Sequence, residues 1–240
     1  MATRKNRLLS RFPPPIRNEL ASQLKQVQLP AGNVLHRSGD PVEEVFFPID
    51  CIISVTATME NGDVTQVGLV GNREMVGLNA FMGGRELNRT AYTVQLAGRA
   101  IRVPADRLLA LFDSNKVLRD VLLKYTQSYI AQLSQNVACS SRHTLRDRLA
   151  RWLLEIRDRN GGDEVHLTHE GIASLLSVRR AGVSQELSVL EKRRIVQCNR
   201  ASIFILDPGK LAEAACECYA VLQREYNRLL GKRGIEFDAS

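Results

Sequence analysis

The segment from Thr168 to Leu206 carries two short helical patterns across a tight turn, followed by two short runs typical of a β-hairpin. Thr168, at the start of this segment, has a hydroxyl side chain that suits a helix N-cap, and the small side chain of Ala173 lets two helices cross closely. Ser177-Val178 predicts the turn, Arg179 to Glu191 the second helix, and Asn199-Arg200-Ala201 the tip of the hairpin. This order of elements predicts a winged helix-turn-helix, whose second helix enters the major groove of duplex DNA.

The charges of this segment favour a polyanionic partner. It holds six basic and three acidic residues, and the whole chain has a formal net charge of +7. Arginine can give two parallel hydrogen bonds to guanine and glutamine two to adenine, so Arg180 and Gln185 are predicted to read base edges. Other outward residues are predicted to hold phosphates and so position the protein. The predicted DNA-binding set is Arg179, Arg180, Ser184, Gln185, Ser188, Lys192, Arg193, Arg194 and Arg200.

Two other interpretations of this region stay open. One is a plain helical hairpin whose charges are solvated. The other is an enzyme, because the run from His166 to Glu170 contains residue types found in zinc peptidases. Its order matches neither common zinc peptidase signature, and it crosses a helix cap instead of following one helix face. We therefore predict no catalytic residue and expect that the protein is not an enzyme.

From Gln28 to Pro104 the sequence consists of short alternating or apolar runs separated by turn residues. Asn61-Gly62 between two β-branched runs is typical of a β-hairpin. Many short strands with little helix between them predict an antiparallel barrel or roll. The predicted strands run from Val34 to Leu35, Val45 to Pro48, Ile52 to Thr58, Val64 to Val70, Tyr92 to Leu96 and Ala100 to Val103.

At about 114–138, apolar residues recur with the period of an α-helix, and no Gly or Pro interrupts them. This pattern predicts one long helix. Two apolar stripes on this helix favour packing of one stripe on the sheet and of the other on a second copy of the chain. A helix buried on two sides of its own domain is the alternative. The predicted dimer interface is Leu118, Leu122, Tyr125, Tyr129, Gln132 and Asn136, and the second stripe is Leu123, Ile130, Leu133 and Val137.

These patterns predict an α+β chain of two domains. Residues 1–140 would form the β-roll with the long helix, and residues 141–240 the winged helix-turn-helix with an additional C-terminal helix. A helix from Ser141 to Arg159 would start the second domain, with Trp152 as a core anchor. The additional helix, marked by Leu211 and Tyr219, is expected to pack on the DNA-binding domain.

Five scattered cysteines do not suggest a disulfide framework. An iron-sulfur cluster needs four neighbouring thiolates, and the N-terminal domain offers only Cys51 and Cys139. Cys216 and Cys218 lie one residue apart in a helical pattern, so their sulfurs are expected to point to different faces. We therefore predict buried thiols and no metal site.

No apolar run approaches the roughly 20 residues that a membrane span needs. Basic residues at the N-terminus are followed by Pro13-Pro14-Pro15 rather than by an apolar segment, which does not fit a secretion signal. A cytoplasmic protein without a membrane partner is expected.

The layout from Leu29 to Asp207 resembles the Crp/Fnr family of bacterial transcription regulators. Besides the helix-turn-helix, the matching stretches are Leu29 to Leu35, Gly39 to Pro41, Val45 to Pro48, Gly68 to Gly71, Met75 to Gly77 and Asn88 to Ala91. The resemblance implies a cyclic-nucleotide-binding-like, jelly-roll-type sensor domain, a long dimerisation helix, and a homodimer on a roughly two-fold DNA site. It also implies contact with RNA polymerase, with the loop from Arg159 to Glu164 as a candidate.

Two features separate this chain from better-known members. Ala181 and Gln185 stand where those members carry Glu and Arg, so a ligand-binding or scaffold module without DNA binding stays an alternative. The phosphate-binding cassette of nucleotide-responsive members runs from a Gly-Glu pair to an Arg-Ser or Arg-Thr pair. Here Arg89-Thr90 matches its second half, but Gly77 is followed by Leu78.

Leucine cannot accept a hydrogen bond from a ribose hydroxyl, which would leave a buried polar group unpaired. On the long helix only Ser134 could donate to a purine. We therefore predict that the sensor domain has lost or changed cyclic nucleotide binding, that no cofactor is held, and that any small-molecule effector is of unknown identity. A regulator responsive to a cAMP-like nucleotide is the alternative. The candidate effector residues are Gly77, Arg89, Thr90 and Ser134.

Overall fold

The N-terminal part of the chain folds into two antiparallel sheets. In the computed structural model, which describes residues 5–83 and 90–231, a helix at Pro14–Leu20 (α1) precedes the first strand. The strands are β1 (Lys25–Leu29), β2 (Val34–His36), β3 (Glu44–Pro48), β4 (Ile52–Thr58), β5 (Val64–Val70), β6 (Ala91–Leu96) and β7 (Gly98–Pro104). One sheet has the order β1-β7-β3 and the other β2-β6-β4-β5. The predicted antiparallel roll is thereby confirmed.

The two sheets enclose a core because their strands alternate between inward apolar residues and outward residues. In β6, Tyr92, Val94 and Leu96 are buried, and the residues between them are half-buried. Tyr92 and Val94 pack in one apolar cluster with Phe46 of the opposite sheet. The six predicted strands are all found, and β1 is a further strand that was not predicted from the sequence.

The turn between β4 and β5 depends on the glycine of its Asn-Gly pair. Gly62 has a φ of +89°, in the left-handed region where a glycine carries no steric cost. Across the turn, the Met59 N–H donates to the Asp63 carbonyl at 2.8 Å. The predicted hairpin is confirmed.

A single long helix, α3 (Lys116–Arg142), follows a shorter one, α2 (Ala105–Ser114). Asn115 caps α3 by accepting a hydrogen bond from the Leu118 N–H at 2.9 Å. The helix continues past the predicted end near residue 138, because neither Gly nor Pro interrupts it before His143.

Four of the six residues that were predicted to form the dimer interface are buried inside their own chain, and for Leu118, Leu122, Tyr125 and Gln132 that assignment was wrong. The six residues are Leu118, Leu122, Tyr125, Tyr129, Gln132 and Asn136, of which the first three are at most 1% exposed. The Tyr125 hydroxyl donates to the Met75 carbonyl at 2.9 Å. The Asn136 amide donates to the Val67 carbonyl at 2.9 Å. The polar groups of Tyr125 and Asn136 therefore have partners within their own chain.

Three of the four residues of the second stripe of α3 face away from the rest of the chain, whereas Leu133 is half-buried. Leu123, Ile130 and Val137 recur every seven residues and are 47%, 54% and 67% exposed. Val117, near the start of the helix, is 60% exposed. An exposed heptad repeat of apolar residues is typical of a helix that pairs with another helix.

The second part of the chain contains five helices and a small sheet among its described residues. The helices are α4 (Leu145–Asn160), α5 (His169–Leu176), α6 (Arg180–Lys192), α7 (Pro208–Ala214) and α8 (Cys218–Leu230). The sheet has the order β8 (Glu164–Val165), β10 (Ile203–Ile205), β9 (Val196–Cys198). A capping box between Thr144 and Asp147 starts α4. Trp152 is 2% exposed, as a core anchor would be, and its indole N–H donates to Gln66 Oε1 at 2.9 Å.

The C-terminal extension consists of two helices rather than one, because Ala215 adopts an extended backbone that ends α7. Leu211 of α7 joins the core of the helix-turn-helix domain, as expected. In contrast, Tyr226 and Leu230 of α8 join the core beneath the β-roll and α3. The Tyr226 hydroxyl also donates to the Arg73 carbonyl at 3.2 Å. The expectation that the extension packs on the DNA-binding domain therefore holds for the start of α8, where Tyr219 packs on that core and its hydroxyl donates to Asp158 at 3.0 Å, and is wrong for the C-terminal end of α8.

Candidate nucleic-acid interface

The helix-turn-helix begins at a hydroxyl cap and turns at a serine. Thr168 accepts a hydrogen bond from the Gly171 N–H at 3.1 Å, which confirms the predicted N-cap. At the other end of α5, Ser177 has φ 54° and ψ 51°, a left-handed conformation that reverses the chain. The Val178 N–H then donates to the carbonyl of buried Ala173 at 3.0 Å. Together these contacts fix how α5 meets α6.

Helix α6 buries one side and leaves the opposite side open. Val183, Leu187 and Leu190 are completely buried, as the spacing predicted. Arg180 and Gln185, the predicted base-reading residues, are exposed. Arg180 is the first residue of α6, and the N-terminal residues of a recognition helix are those that meet base edges.

Strands β9 and β10 form the predicted wing. They pair antiparallel with Cys198 opposite Ile203, and the turn between them leaves Arg200 exposed at the tip. The carboxylate of Glu191, in α6, accepts a hydrogen bond from the Cys198 N–H at 2.8 Å. This bond fixes the wing relative to the exposed side of α6.

Acidic side chains do not neutralise this face. Glu186 turns to α4, where it lies 2.6 Å from Arg146 Nε. Glu170 lies 3.9 Å from Arg180 Nε, but both side chains are exposed, so this pair contributes little. Among residues 5–83 and 90–231, no ion pair forms to five of the predicted DNA-contacting cations, which are Arg179, Lys192, Arg193, Arg194 and Arg200. These positive charges remain available to an anionic partner.

Two further α6 residues contact neighbouring helices. Ser184 is half-buried, and its hydroxyl oxygen lies 2.9 Å from Nδ1 of His169, so it has an intramolecular partner besides any phosphate. At Gly182, an added Cβ would lie 3.0 Å from Leu145 Cδ2, which explains why a small residue stands there. Ser188 is exposed beside Gln185.

The helix-turn-helix lies directly against the β-roll. The hydroxyl of Ser177, at the turn, donates to Thr65 Oγ1 in β5 at 3.0 Å. Next to this contact, a cavity of about 670 Å³ lies between β5 and α3 on one side and α4 and α5 on the other. Its lining residues include Gly68, Leu133 and Leu176. A change in the β-roll could therefore reach the DNA-facing helices over a short path.

A buried ion network joins α4 to the loop after β5. Arg159 is 2% exposed, and its Nε lies 3.1 Å from Glu74 Oε1 while its Nη1 lies 3.2 Å from Glu155 Oε2. The second oxygen of Glu74 accepts a hydrogen bond from the Gly71 N–H at 2.7 Å. Burial alone would lower the pKa of Arg159, but the nearby carboxylates of Glu74 and Glu155 raise it, so the guanidinium stays charged.

The loop predicted to contact RNA polymerase is only partly accessible. Arg159 belongs to the buried network, so including it in that surface was wrong. Gly161 and Asp163 are exposed, and Asp163 also lies 2.5 Å from Arg157 Nε. The accessible part of the loop is therefore its central residues.

The structure describes three of the four candidate effector residues. Arg89 lies outside the described residues, and Thr90 is half-buried just before β6. Gly77 has a φ of +97°, and an added Cβ would lie 2.9 Å from Val45 Cγ1. Ser134 is exposed on α3, whereas Leu78 is buried in the core beneath the β-roll.

A cluster of three thiols and an imidazole is the feature that sequence reasoning missed. Cys139, His143, Cys216 and Cys218 place their ligand atoms within 4.8 Å of one another. Cys216 precedes α8 and Cys218 begins it, so a turn, rather than a helix, separates them. The expectation that their sulfurs point to different faces was therefore wrong. The spacing of Cys139 and His143, four residues apart, was the available signal, because it places both on one helix face.

Comparison with known proteins matches both halves of the chain to family models. A Crp-like helix-turn-helix domain matches residues 147–214, and a cyclic nucleotide-binding domain matches residues 26–115. A relative from Mycobacterium tuberculosis, named CRP-like cAMP-activated global transcriptional regulator, is 24% identical over 204 residues. That match covers 82% of this chain and 90% of the relative.

Solved structures share the fold at lower identity. FixK2 from Bradyrhizobium japonicum superposes with a TM-score of 0.69 at 16% identity, covering 80% of this chain and 98% of that one. A putative transcriptional regulator of the Crp/Fnr family from Eubacterium rectale gives a TM-score of 0.63 at 17% identity, with coverage of 90% and 97%. Among the described residues, none of the helices is long and apolar enough to cross a bilayer.

Proposed function

Because the chain belongs to the Crp/Fnr family of transcription regulators, we propose that it binds a two-fold DNA site as a homodimer and reads each half-site with α6. The observation that carries the proposal is the exposed face of α6, where Arg180 and Gln185 are flanked by cations with no ion pair among the described residues. The wing adds Arg200 beside this face. We place this activity in the cytoplasm, with RNA polymerase contacted through the accessible centre of the loop between α4 and β8.

The dimer would form through the exposed stripe of α3. Leu123, Ile130 and Val137 occupy equivalent positions of successive heptads, so two copies of α3 can pair along this stripe. Paired long helices would hold two α6 helices in a symmetric arrangement, as a two-fold DNA site requires.

Replacing Arg180 with alanine should lower affinity for the cognate site by about 1–3 kcal/mol and relax preference at one base pair. The reason is the loss of a bidentate contact to a base edge. Replacing Arg194 with alanine should instead weaken binding to all sequences and reduce the slope of log affinity against log salt by about one. Both effects can be measured by fluorescence anisotropy with cognate and single-base-changed duplexes over a salt series.

Arg228→Ala is the matched control, because Arg228 is an exposed arginine of α8 paired with Glu225 and far from α6 in the chain. It should leave affinity and salt slope unchanged. If Arg180→Ala and Arg194→Ala behave like this control, α6 does not face DNA.

For the sensor domain, we propose that the chain has lost or changed cyclic nucleotide binding. Leu78 stands where a ribose-binding glutamate is needed, and its side chain is buried in an apolar cluster, where it cannot serve a nucleotide. The second candidate is a cAMP-like response, favoured by the similarity to the Mycobacterium tuberculosis relative, which is named as a cAMP-activated regulator.

Calorimetric titration with cAMP and cGMP should therefore show no binding at micromolar nucleotide. Micromolar binding by the unaltered chain, abolished by Arg89→Ala, would establish the cAMP-like response instead.

A further inference from the structure

Three thiols and one imidazole from separate parts of the chain meet where α3 ends and α8 begins. Cys139 lies in the last turns of α3, and His143 is the residue that ends it. Cys216 and Cys218 come from the connection between α7 and α8. All three cysteines are buried, His143 is half-buried, and none of the five cysteines is in a disulfide. Four side chains of the types that bind metal ions therefore lie together, which packing alone does not require.

The distances fit one metal ion. The sulfurs of Cys139 and Cys216 lie 3.5 Å apart, and that of Cys218 lies 3.5 Å from Nδ1 of His143. A tetrahedral zinc ion with bonds of about 2.3 Å to sulfur and about 2.0 Å to nitrogen places its ligand atoms about 3.5–3.8 Å from one another. No pair in the cluster exceeds 4.8 Å, so small side-chain movements suffice to close a tetrahedron.

The polar groups that contact the cluster are of the kinds that hydrogen-bond to metal ligands in proteins. Nε2 of His143 lies 3.2 Å from a carboxylate oxygen of Glu217, which leaves Nδ1 facing the sulfurs. A carboxylate on the second ring nitrogen fixes the ring and makes the first nitrogen a better ligand. The Gln135 amide donates to the Cys218 sulfur at 3.0 Å, a bond that stabilises a thiolate.

The charges nearby also favour an ion with thiolate ligands. Three thiolates and one neutral imidazole on a divalent ion carry a net charge of about −1. The guanidinium groups of Arg148 and Arg151 lie close enough to Cys139 to interact with its charge. They can offset that negative charge in a buried setting, where an unbalanced charge is costly.

We infer that Cys139, His143, Cys216 and Cys218 bind a single zinc ion. Borderline-soft Zn²⁺ takes three Cys and one His in closed structural sites, and the four ligands leave no position for a substrate. Binding releases the protons of the three thiols and changes no oxidation state.

The bound zinc ion would hold together the elements that meet at the junction of the two domains. His143 is the first residue after α3, and α4 begins two residues later, so the ion sits where the long helix passes into the helix-turn-helix domain. Through Cys216 and Cys218 it also ties down α8. Zinc would thus fix the angle between the dimer helix and the DNA-binding domain, a role beyond the DNA recognition proposed above and independent of it.

The test uses the full-length chain, expressed with zinc and purified with a non-thiol reductant. We expect about one zinc ion per chain by mass spectrometry of the metal. Replacement by Co²⁺ should give the visible d–d bands of tetrahedral cobalt and a thiolate-to-cobalt charge-transfer band. Cys216→Ser should abolish stoichiometric zinc and both absorptions, whereas Cys198→Ser, a cysteine in the wing, should retain them.

Glu217→Gln gives a second variant in case Cys216→Ser fails to fold, because the Glu217 side chain is 73% exposed. Loss of the carboxylate should lower zinc affinity by about 10–100-fold in chelator competition. Three results would overturn the inference: a zinc content near zero in reduced protein, zinc binding that Cys216→Ser and Glu217→Gln leave unchanged, or isolation of a Cys139–Cys216 disulfide without zinc.

Discussion

Replacing Ile130 with aspartate is expected to convert the proposed homodimer into a monomer and to weaken binding to a two-fold DNA site by about 10²–10⁴-fold. Ile130 is 54% exposed at the middle of the apolar stripe, so the substitution leaves the chain's own core intact. In a dimer it would face the same carboxylate of the second copy, in an interface from which water is excluded. Sedimentation gives the mass in solution, and anisotropy titration gives the DNA affinity.

Lys124→Asp is the control for this experiment. It introduces the same side chain at an exposed position of α3, about 120° around the helix from Ile130. The control should stay dimeric with unchanged DNA affinity. If Ile130→Asp remains dimeric at micromolar concentration, the exposed stripe is not the dimer interface.

Replacing Arg159 with methionine should lower the free energy of unfolding by about 1–3 kcal/mol, because it removes the guanidinium that two buried carboxylates share and leaves each with one arginine partner, Arg73 or Arg151. Those carboxylates belong to Glu74 and Glu155, both at most 4% exposed. Glu74 lies in the loop after β5 and Glu155 in α4, so the loss should also loosen the contact between the β-roll and the helix-turn-helix domain. Urea unfolding followed by tryptophan fluorescence reports on this contact, since Trp152 lies at it.

Arg228→Met is the matched substitution at an exposed ion pair, with Glu225 as the partner. It should change the free energy of unfolding by no more than about 1 kcal/mol. An Arg159→Met variant as stable as Arg228→Met would show that the buried network does not hold the two domains together.

The elements that sequence could predict are those with strong local signals. The alternation of apolar and polar residues predicted the six strands, and the Asn-Gly pair predicted the turn at Gly62. The hydroxyl side chain of Thr168 predicted the N-cap at the start of α5. The inward positions of α6 followed from spacing alone, because a helix repeats every 3.6 residues. Local chemistry decides all of these features.

The assignments that failed depend on which surfaces meet in three dimensions. Periodicity showed that α3 has two apolar stripes, but not that Tyr125 would bond to the loop at Met75 and turn its stripe inward. Likewise, α8 has an apolar face, but only the fold brings Tyr226 beneath the β-roll. The meeting of Cys139 with Cys216, distant in sequence, needed both of these packings to be known.

Recognition of DNA by paired α6 helices can be tested by selection of bound sequences from a random duplex library by the purified full-length protein, with cell-extract metabolites present. We expect enrichment of an inverted repeat whose half-site centres lie about one helical turn, roughly 34–36 Å, apart. Arg180→Ala should reduce the base preference at the same position of both half-sites. Enrichment of a single asymmetric half-site, or no enrichment at all, would contradict recognition of DNA by paired α6 helices.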